Sequence, residues 1–223
     1  MREICIIVEG QTEEQFIKMV LEPLALIHDI HLTPIVVRTK RTKTAVYKGG
    51  GTSWTPYRKL VRKLASEPHW ARIGVMLDLY ACPSDTPGYT TSLSGHQLHS
   101  TVAEAIQKDL EKIAPGRVLA GPILHELETL VIAAIATGQT EAEPGVVQEA
   151  RTAIRKADGD VELVNGGATT APSKRLVTWW PEYEKVLYGP VLISQAVWDD
   201  IVPQCPTFEA WWNLLLSPDP RTP

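Results

Sequence analysis

The sequence predicts an α/β fold, with a mostly parallel four-stranded sheet flanked by helices and a helical cap towards the C-terminus. Three observations lead there. Strand-like and helix-like stretches alternate through the first two thirds of the chain. The strand-like stretches are short apolar runs rich in Ile and Val, and in parallel sheets such runs are buried on both faces. Beyond residue 140 the alternation gives way to an irregular helical pattern that holds five of the seven tryptophans.

Residues 3–9 read as the first strand, ending on Glu9 and Gly10. Residues 12–28 read as a helix with Phe16, Val20, Leu24 and Ile27 on one face, Thr12 as its N-cap and acids in its first turn. Residues 32–38 form a second strand, which Pro34 places late or at a sheet edge. A Gly-rich loop at 49–51 precedes a helix over 56–66, and residues 73–79 are the third strand, ending on Asp78. Residues 80–95, rich in Pro, Gly, Ser and Thr, read as a long loop of the kind that covers a site. A helix over 96–113, a strand over 118–124 and a helix over 126–136 complete a βαβα order, which implies right-handed crossovers and helices on both faces. The predicted organisation is a core over 1–140, a helical cap over 141–216 and a flexible tail over 217–223.

The composition, 44% apolar and 22% charged, is that of a soluble globular protein able to bury a full core. Cys5, Cys82 and Cys205 lie far apart, with neither metal-ligand spacing nor a disulfide framework, so the expected compartment is the reducing cytoplasm. The chain begins with a charged strand rather than a signal peptide, and no apolar run approaches the ~20 residues a membrane span needs. The net charge of −4 hides an asymmetry. Between Arg38 and Arg72 there are ten Lys or Arg, Lys40, Arg41 and Lys43 among them, and one acid, Glu67, giving +9. Such a block reads as a surface for phosphates or as a solvated helix face with a loop.

The strand ends carry the chemistry. In a parallel sheet every strand's C-terminal end faces one rim, where open α/β sheets build their sites. Glu9 and Asp78 share that rim, and two close acids repel unless a cation lies between them. Mg²⁺ takes one or two protein carboxylates and keeps waters for a phosphate ligand, so a divalent-metal site is one reading; a helix cap at Glu9 and a loop anchor at Asp78 are the other. His125-Glu126-Leu127-Glu128 follows the fourth strand to the same rim. Helical spacing separates Glu126 and Glu128 by ~200°, so one of them is expected to point inward as a third ligand or base, unless both are first-turn acids favoured by the helix dipole. His125 can bind phosphate or orient a carboxylate. Ser173 at a helix start, with Lys174 and Arg175 and with Lys185 nearby in sequence, makes a candidate anion site or a capped surface helix. Asp85 reads as a turn-forming acid, and the paired tryptophans as core or subunit interface, which leaves a homo-oligomer open.

Val-Glu-Gly-Gln-Thr-Glu-Glu at 8–14 resembles the first motif of Toprim domains, the metal-binding fold of topoisomerases, primases and overcoming-lysogenization-defect nucleases. The chain as a whole resembles a bacterial family of standalone Toprim-like proteins of uncharacterised function. The resemblance rests on Glu9-Gly10-Gln11-Thr12-Glu13, Asp78-Leu79-Tyr80 with Pro87-Gly88, and His125-Glu126-Leu127-Glu128. It continues through Ala171-Pro172-Ser173-Lys174-Arg175, Tyr183-Glu184-Lys185 with Gly189-Pro190, and Cys205-Pro206-Thr207-Phe208. It implies a Toprim-like core with a Mg²⁺ (or Mn²⁺) site, Glu9 matching the Toprim glutamate and Asp78 the first aspartate of the Asp-x-Asp motif. The second aspartate is replaced here by Tyr80, so Glu126 or Glu128 must compensate. No nucleophilic-tyrosine domain is visible, which speaks against topoisomerase chemistry. The resemblance further implies nuclease activity on nucleic acid and a place in a phage-defence operon with an ATPase partner, or else a non-catalytic subunit that binds an ATPase or a nucleotide.

Overall fold

The computed structural model describes residues 1–41, 46–48, 53–124, 126–164 and 170–218. Strand β1 (Arg2–Val8) is buried from Ile4 onward and lies inside the sheet. Helix α1 (Gln11–Phe16) passes through a π-helical turn (Ile17–Leu21) into α2 (Glu22–Leu26). Strand β2 (Ile30–Val36) follows, then a short antiparallel hairpin of β3 (Arg38–Arg41) and β4 (Val46–Lys48). Helix α3 (Thr55–Ala65), strand β5 (Trp70–Asp78), helix α4 (Gly95–Glu111), strand β6 (Val118–Ile123) and helix α5 (Glu128–Thr137) complete the alternating part. Then come α6 (Pro144–Lys156), α7 (Pro172–Trp179), α8 (Lys185–Gln195), α9 (Trp198–Ile201) and α10 (Pro206–Leu216).

The main sheet runs β2-β1-β5-β6, every pair parallel. Alternation along β1 sorts the core into two layers. Ile4, Ile6 and Val8 join Phe16, Leu130, Ile132 and the C-terminal helices on one face. Cys5 and Ile7 join Tyr57, Val61, Val102 and Ile106 of α3 and α4 on the other. The expected α/β architecture is thus the observed one. Pro34, which has no N–H to donate, lies on the edge strand β2, although that strand starts earlier than expected, at Ile30. The β3–β4 hairpin within the basic segment was not expected from the sequence.

Two local expectations are corrected. The first helix is capped at Gly10, not Thr12, which lies buried in the first turn. The Glu13 carboxylate instead reaches back to accept the Gly10 N–H at 2.9 Å. The buried stripe of that helix also departs from a plain 3.6-residue period. Ile17, Leu21 and Ala25 are buried, while Ile27 is exposed. The π turn ahead of Pro23 admits one extra residue and shifts the phase of everything after it.

The C-terminal helices share a core with the sheet. Trp211 lies across β5 and β6, where Gly74 and Gly121 leave room for its ring: a Cβ at Gly121 would come within 2.3 Å of the indole Nε1. At the N-terminal edge of the sheet two guanidinium groups hold the end of α10. Arg2 donates to the carbonyls of Ser217 at 2.7 Å and Leu216 at 2.8 Å. Arg72, buried, donates to the carbonyls of Leu214, Leu215 and Pro218. Helix C-termini leave such carbonyls without partners, and cations suit that end of the dipole. Ser217 and Pro218, expected in a loose tail, are therefore pinned; residues 219–223 lie outside the described residues. No helix among the described residues is long and apolar enough to cross a membrane.

Candidate functional site

Because the strands are parallel, β1, β5 and β6 deliver their following residues to one rim. Asp78 ends β5 opposite Ile123 of β6, Glu9 follows Val8 of the neighbouring β1, and Glu128 opens α5 just beyond β6. Glu13 joins them from the first turn of α1. All four carboxylates are buried, Glu9 to 9% exposure, Asp78 to 8%, Glu13 to 5% and Glu128 to 0%. Into this group comes one cation, Lys185, the first residue of α8, which packs between α1 and α5. Its Nζ lies 2.9 Å from Glu128 Oε2 and 3.8 Å from Asp78 Oδ2.

The electrostatics follow from burial. Glu9 is pushed up to about 7 because burial disfavours its charge; the Tyr57 O–H, donating to Oε1 at 2.9 Å, pulls the other way, and the Glu13 charge adds to the rise. Asp78 is driven well above the ordinary carboxylate range by burial, against the pull of Lys185 and with the push of Glu13, Glu128 and Glu9. Burial raises Glu128 as well, opposed by Lys185. Burial pulls Lys185 down, but the charges of Glu128 and Asp78 outweigh it and hold the ammonium protonated. Among the described residues one positive charge thus faces several acids, and two oxygens, Asp78 Oδ1 and Glu128 Oε1, are buried without a hydrogen-bond donor. Hard oxygen ligands with unfilled lone pairs suit a divalent cation that keeps its own waters. Glu9, Asp78 and Glu128, with Glu13 beside them, are the residues that can hold one.

The rim acids are more widely spaced than a closed ligand set. Among the described residues the trio whose ligand atoms all lie within 4.8 Å of one another is His96, Asp160 and Glu162. That trio is accounted for by its own hydrogen bonds. His96 Nε2 is 2.7 Å from Asp160 Oδ2, and Asp160 Oδ1 accepts the Glu162 N–H. Glu162 accepts the N–H and O–H of Thr207 and the N–H of Phe208, capping α10.

The sequence matches the family described as "Domain of unknown function (DUF4276)" over residues 8–216. The chain belongs to this family. A comparison with curated proteins found no match. Among solved structures, the chain is similar to the C-terminal region of the Burkholderia pseudomallei OLD protein, with a TM-score of 0.41 and 15% identity over 97% of this chain and 98% of that one. It is also similar to the C-terminal region of the Xanthomonas campestris pv. campestris OLD protein, with a TM-score of 0.36 and 14% identity over 95% and 94% of the two chains. A likeness this distant speaks to no activity.

In this DUF4276 chain the remaining candidate residues divide. Glu126, expected as a catalytic acid, has both carboxylate oxygens on Ser173, accepting its N–H at 3.0 Å and its O–H at 3.1 Å. The start of α7 therefore takes the chain's own carboxylate where an external anion was expected, and Glu128 is the acid that turns inward. Lys174 is exposed on α7, and Arg175 donates to the Thr170 carbonyl at 2.9 Å. Lys185, expected beside them, sits among the acids instead, because α8 carries it to the rim. Lys40 and Arg41 lie in β3; Lys43 and His125 fall outside the described residues. Asp85, read from the sequence as turn-forming, accepts the Trp54 N–H at 2.7 Å and the Ser53 O–H at 2.9 Å, 31 and 32 positions away at the start of α3. Sequence reading missed Glu13 and Tyr57 as site residues. The Glu13–Glu14 pair next to Gly10 was a signal for the first; nothing in sequence spacing links Tyr57 to Glu9, 48 positions away.

Proposed function

We propose that this protein is a divalent-metal-dependent nuclease of the Toprim type, hydrolysing phosphodiester bonds at the carboxyl rim of its sheet. The observation that carries the reading is the group of buried carboxylates around Lys185, with Asp78 Oδ1 and Glu128 Oε1 left without donors. Glu9, Asp78 and Glu128 would hold Mg²⁺ or Mn²⁺, which when bound supplies Lewis-acid polarisation of a phosphoryl oxygen and a more acidic water. Tyr57 fixes the rotamer of Glu9 through its hydrogen bond. Lys185, its side chain 36% exposed, is the cation among the rim acids and in this reading would receive a non-bridging phosphate oxygen. In this reading residues 1–140 form the Toprim-like core, and residues 141–216 form the cap that brings Lys185 to it. The motif resemblance supports an ATPase partner encoded beside it in a phage-defence operon, acting in the cytoplasm.

The test is Glu9→Gln assayed on plasmid, single strands and RNA with Mg²⁺ or Mn²⁺. Cleavage by the parent and its loss in a folded variant are expected; unchanged cleavage by the variant removes the proposal.

One observation favours a second reading. Lys185 already neutralises part of the acid group, and Tyr80 stands where the Toprim pattern has an aspartate, as in a non-catalytic subunit whose acids serve structure. Calorimetric titration separates the two readings: absence of Mg²⁺ and Mn²⁺ binding at millimolar concentration favours the subunit.

A further inference from the structure

A groove of about 710 Å³ lies between the edge strand and α3, lined by Pro34, Ile35, Val36 and Leu60 with Lys59 and Lys63 on its rim. Helix α3 forms both this groove and part of the site. Its inner face, Tyr57, Val61 and Leu64, is buried, and Tyr57 donates to Glu9. Its outer face carries Lys59, Arg62 and Lys63, exposed and with no ion-pair partner among the described residues. Lys59 and Lys63 are one turn apart on the same side, ~6 Å along the axis. Glu14 also lines the groove, but it is already paired with Lys18 at 2.6 Å, so the net character is cationic.

The position ties the groove to the acids. Val36, which lines the groove, pairs with Val8, the residue before Glu9, so the groove's wall is one strand and one residue from the rim. A peptide adding to the edge of β2 is disfavoured because Pro34 offers no main-chain donor there. A cationic margin over an apolar wall suits a polyanion whose bases are not paired away. A groove of this size admits one strand, and a duplex, with its bases turned inward, gains nothing from the apolar wall.

We infer that the β2–α3 groove is the track for single-stranded nucleic acid, with Lys59 and Lys63 on successive phosphates and the bases against Pro34, Ile35 and Leu60. The inference rests on the nuclease reading for its destination but is measured apart from it. The experiment is fluorescence anisotropy of a labelled single-stranded oligonucleotide in EDTA, which keeps cleavage out of the readout, across a series of salt concentrations. Lys59→Ala/Lys63→Ala is compared with Lys112→Ala/Lys156→Ala, which removes the same charge from exposed positions elsewhere. The first double variant is expected to bind ~10-fold more weakly, and its salt slope to fall by ~1.4, about 0.7 per lost phosphate contact. The second is expected to match the parent. Equal weakening in both, no weakening in either, or an equal loss on duplex overturns the inference. The two proposals fail separately. A protein that binds strands through Lys59 and Lys63 yet cleaves nothing loses the nuclease and keeps the groove. One that cleaves with an unchanged KM in the first double variant loses the groove and keeps the nuclease.

Discussion

Glu9→Gln, made in metal-free protein, measures how much stability the acid rim withholds from the fold. Glu9 is buried to 9% exposure and holds its proton to about 7, against an ordinary value of 4.5. The unfolded chain releases that proton near 4.5 and the folded chain near 7, so folding takes up a proton across this window. Stability is full below it and declines as pH rises through it. The whole gap is worth about 3 kcal/mol, of which about 2.5 kcal/mol falls between about pH 5 and about pH 8. Glutamine keeps an acceptor for the Tyr57 O–H and carries no charge, so the variant escapes this decline. For a chain of this length each kcal/mol moves Tm by about 2–4 °C. The variant should therefore gain about 5–10 °C on the parent between about pH 5 and about pH 8, read by circular dichroism in EDTA. Relief of the push that the Glu9 charge exerts on Asp78 acts in the same direction and is part of the measured difference. A Tm difference that does not change with pH would refute the argument, because Glu9 would then hold a compensated charge.

Lys185→Met leaves Asp78 and Glu128 without their cation, so the urea midpoint should fall by an amount equal to about 2 kcal/mol, a buried-pair value reduced for the 36% exposure of the lysine side chain; an unchanged midpoint contradicts the pairing. Gly121→Ala drives a methyl group into the Trp211 indole, and thermal unfolding should show a loss of about 1–3 kcal/mol, with the near-ultraviolet dichroism of the tryptophans altered. Glu162→Ala strips the donors of Thr207 and Phe208 of their acceptor at the start of α10, and about 2 kcal/mol of stability should go with it in denaturant titration.

What could be read from the sequence was what local periodicity and strand polarity decide. The apolar runs around Ile6 and Val75 identified core strands, and the parallel order sent Glu9, Asp78 and Glu128 to one rim. The choice between Glu126 and Glu128 could not be read, because it depends on Ser173, 47 positions away, offering both its N–H and its O–H to Glu126. Lys185 was misplaced for a related reason: it was grouped with Lys174 and Arg175, ten or more positions earlier in the sequence, whereas α8 carries it to the acids of the rim. The helical stripe departed from expectation within the π turn and beyond it, with Ile17, Leu21 and Ala25 inward and Ile27 out. The hairpin inside the basic segment was missed because Thr and Lys alternate there without an apolar face to mark strands.

Arg2 reaches carbonyls 214 and 215 positions further along the chain, and Arg72 ones more than 140 away. These contacts close the far edge of the very strands that carry Glu9 and Asp78. A growing polypeptide cannot make them until α10 has been synthesised. Contacts of such long range slow the approach to the native state, because the loop must close before it is rewarded. Closure of that edge thus waits for α10, and chains that stop short of it should lack these clamps on β1 and β5.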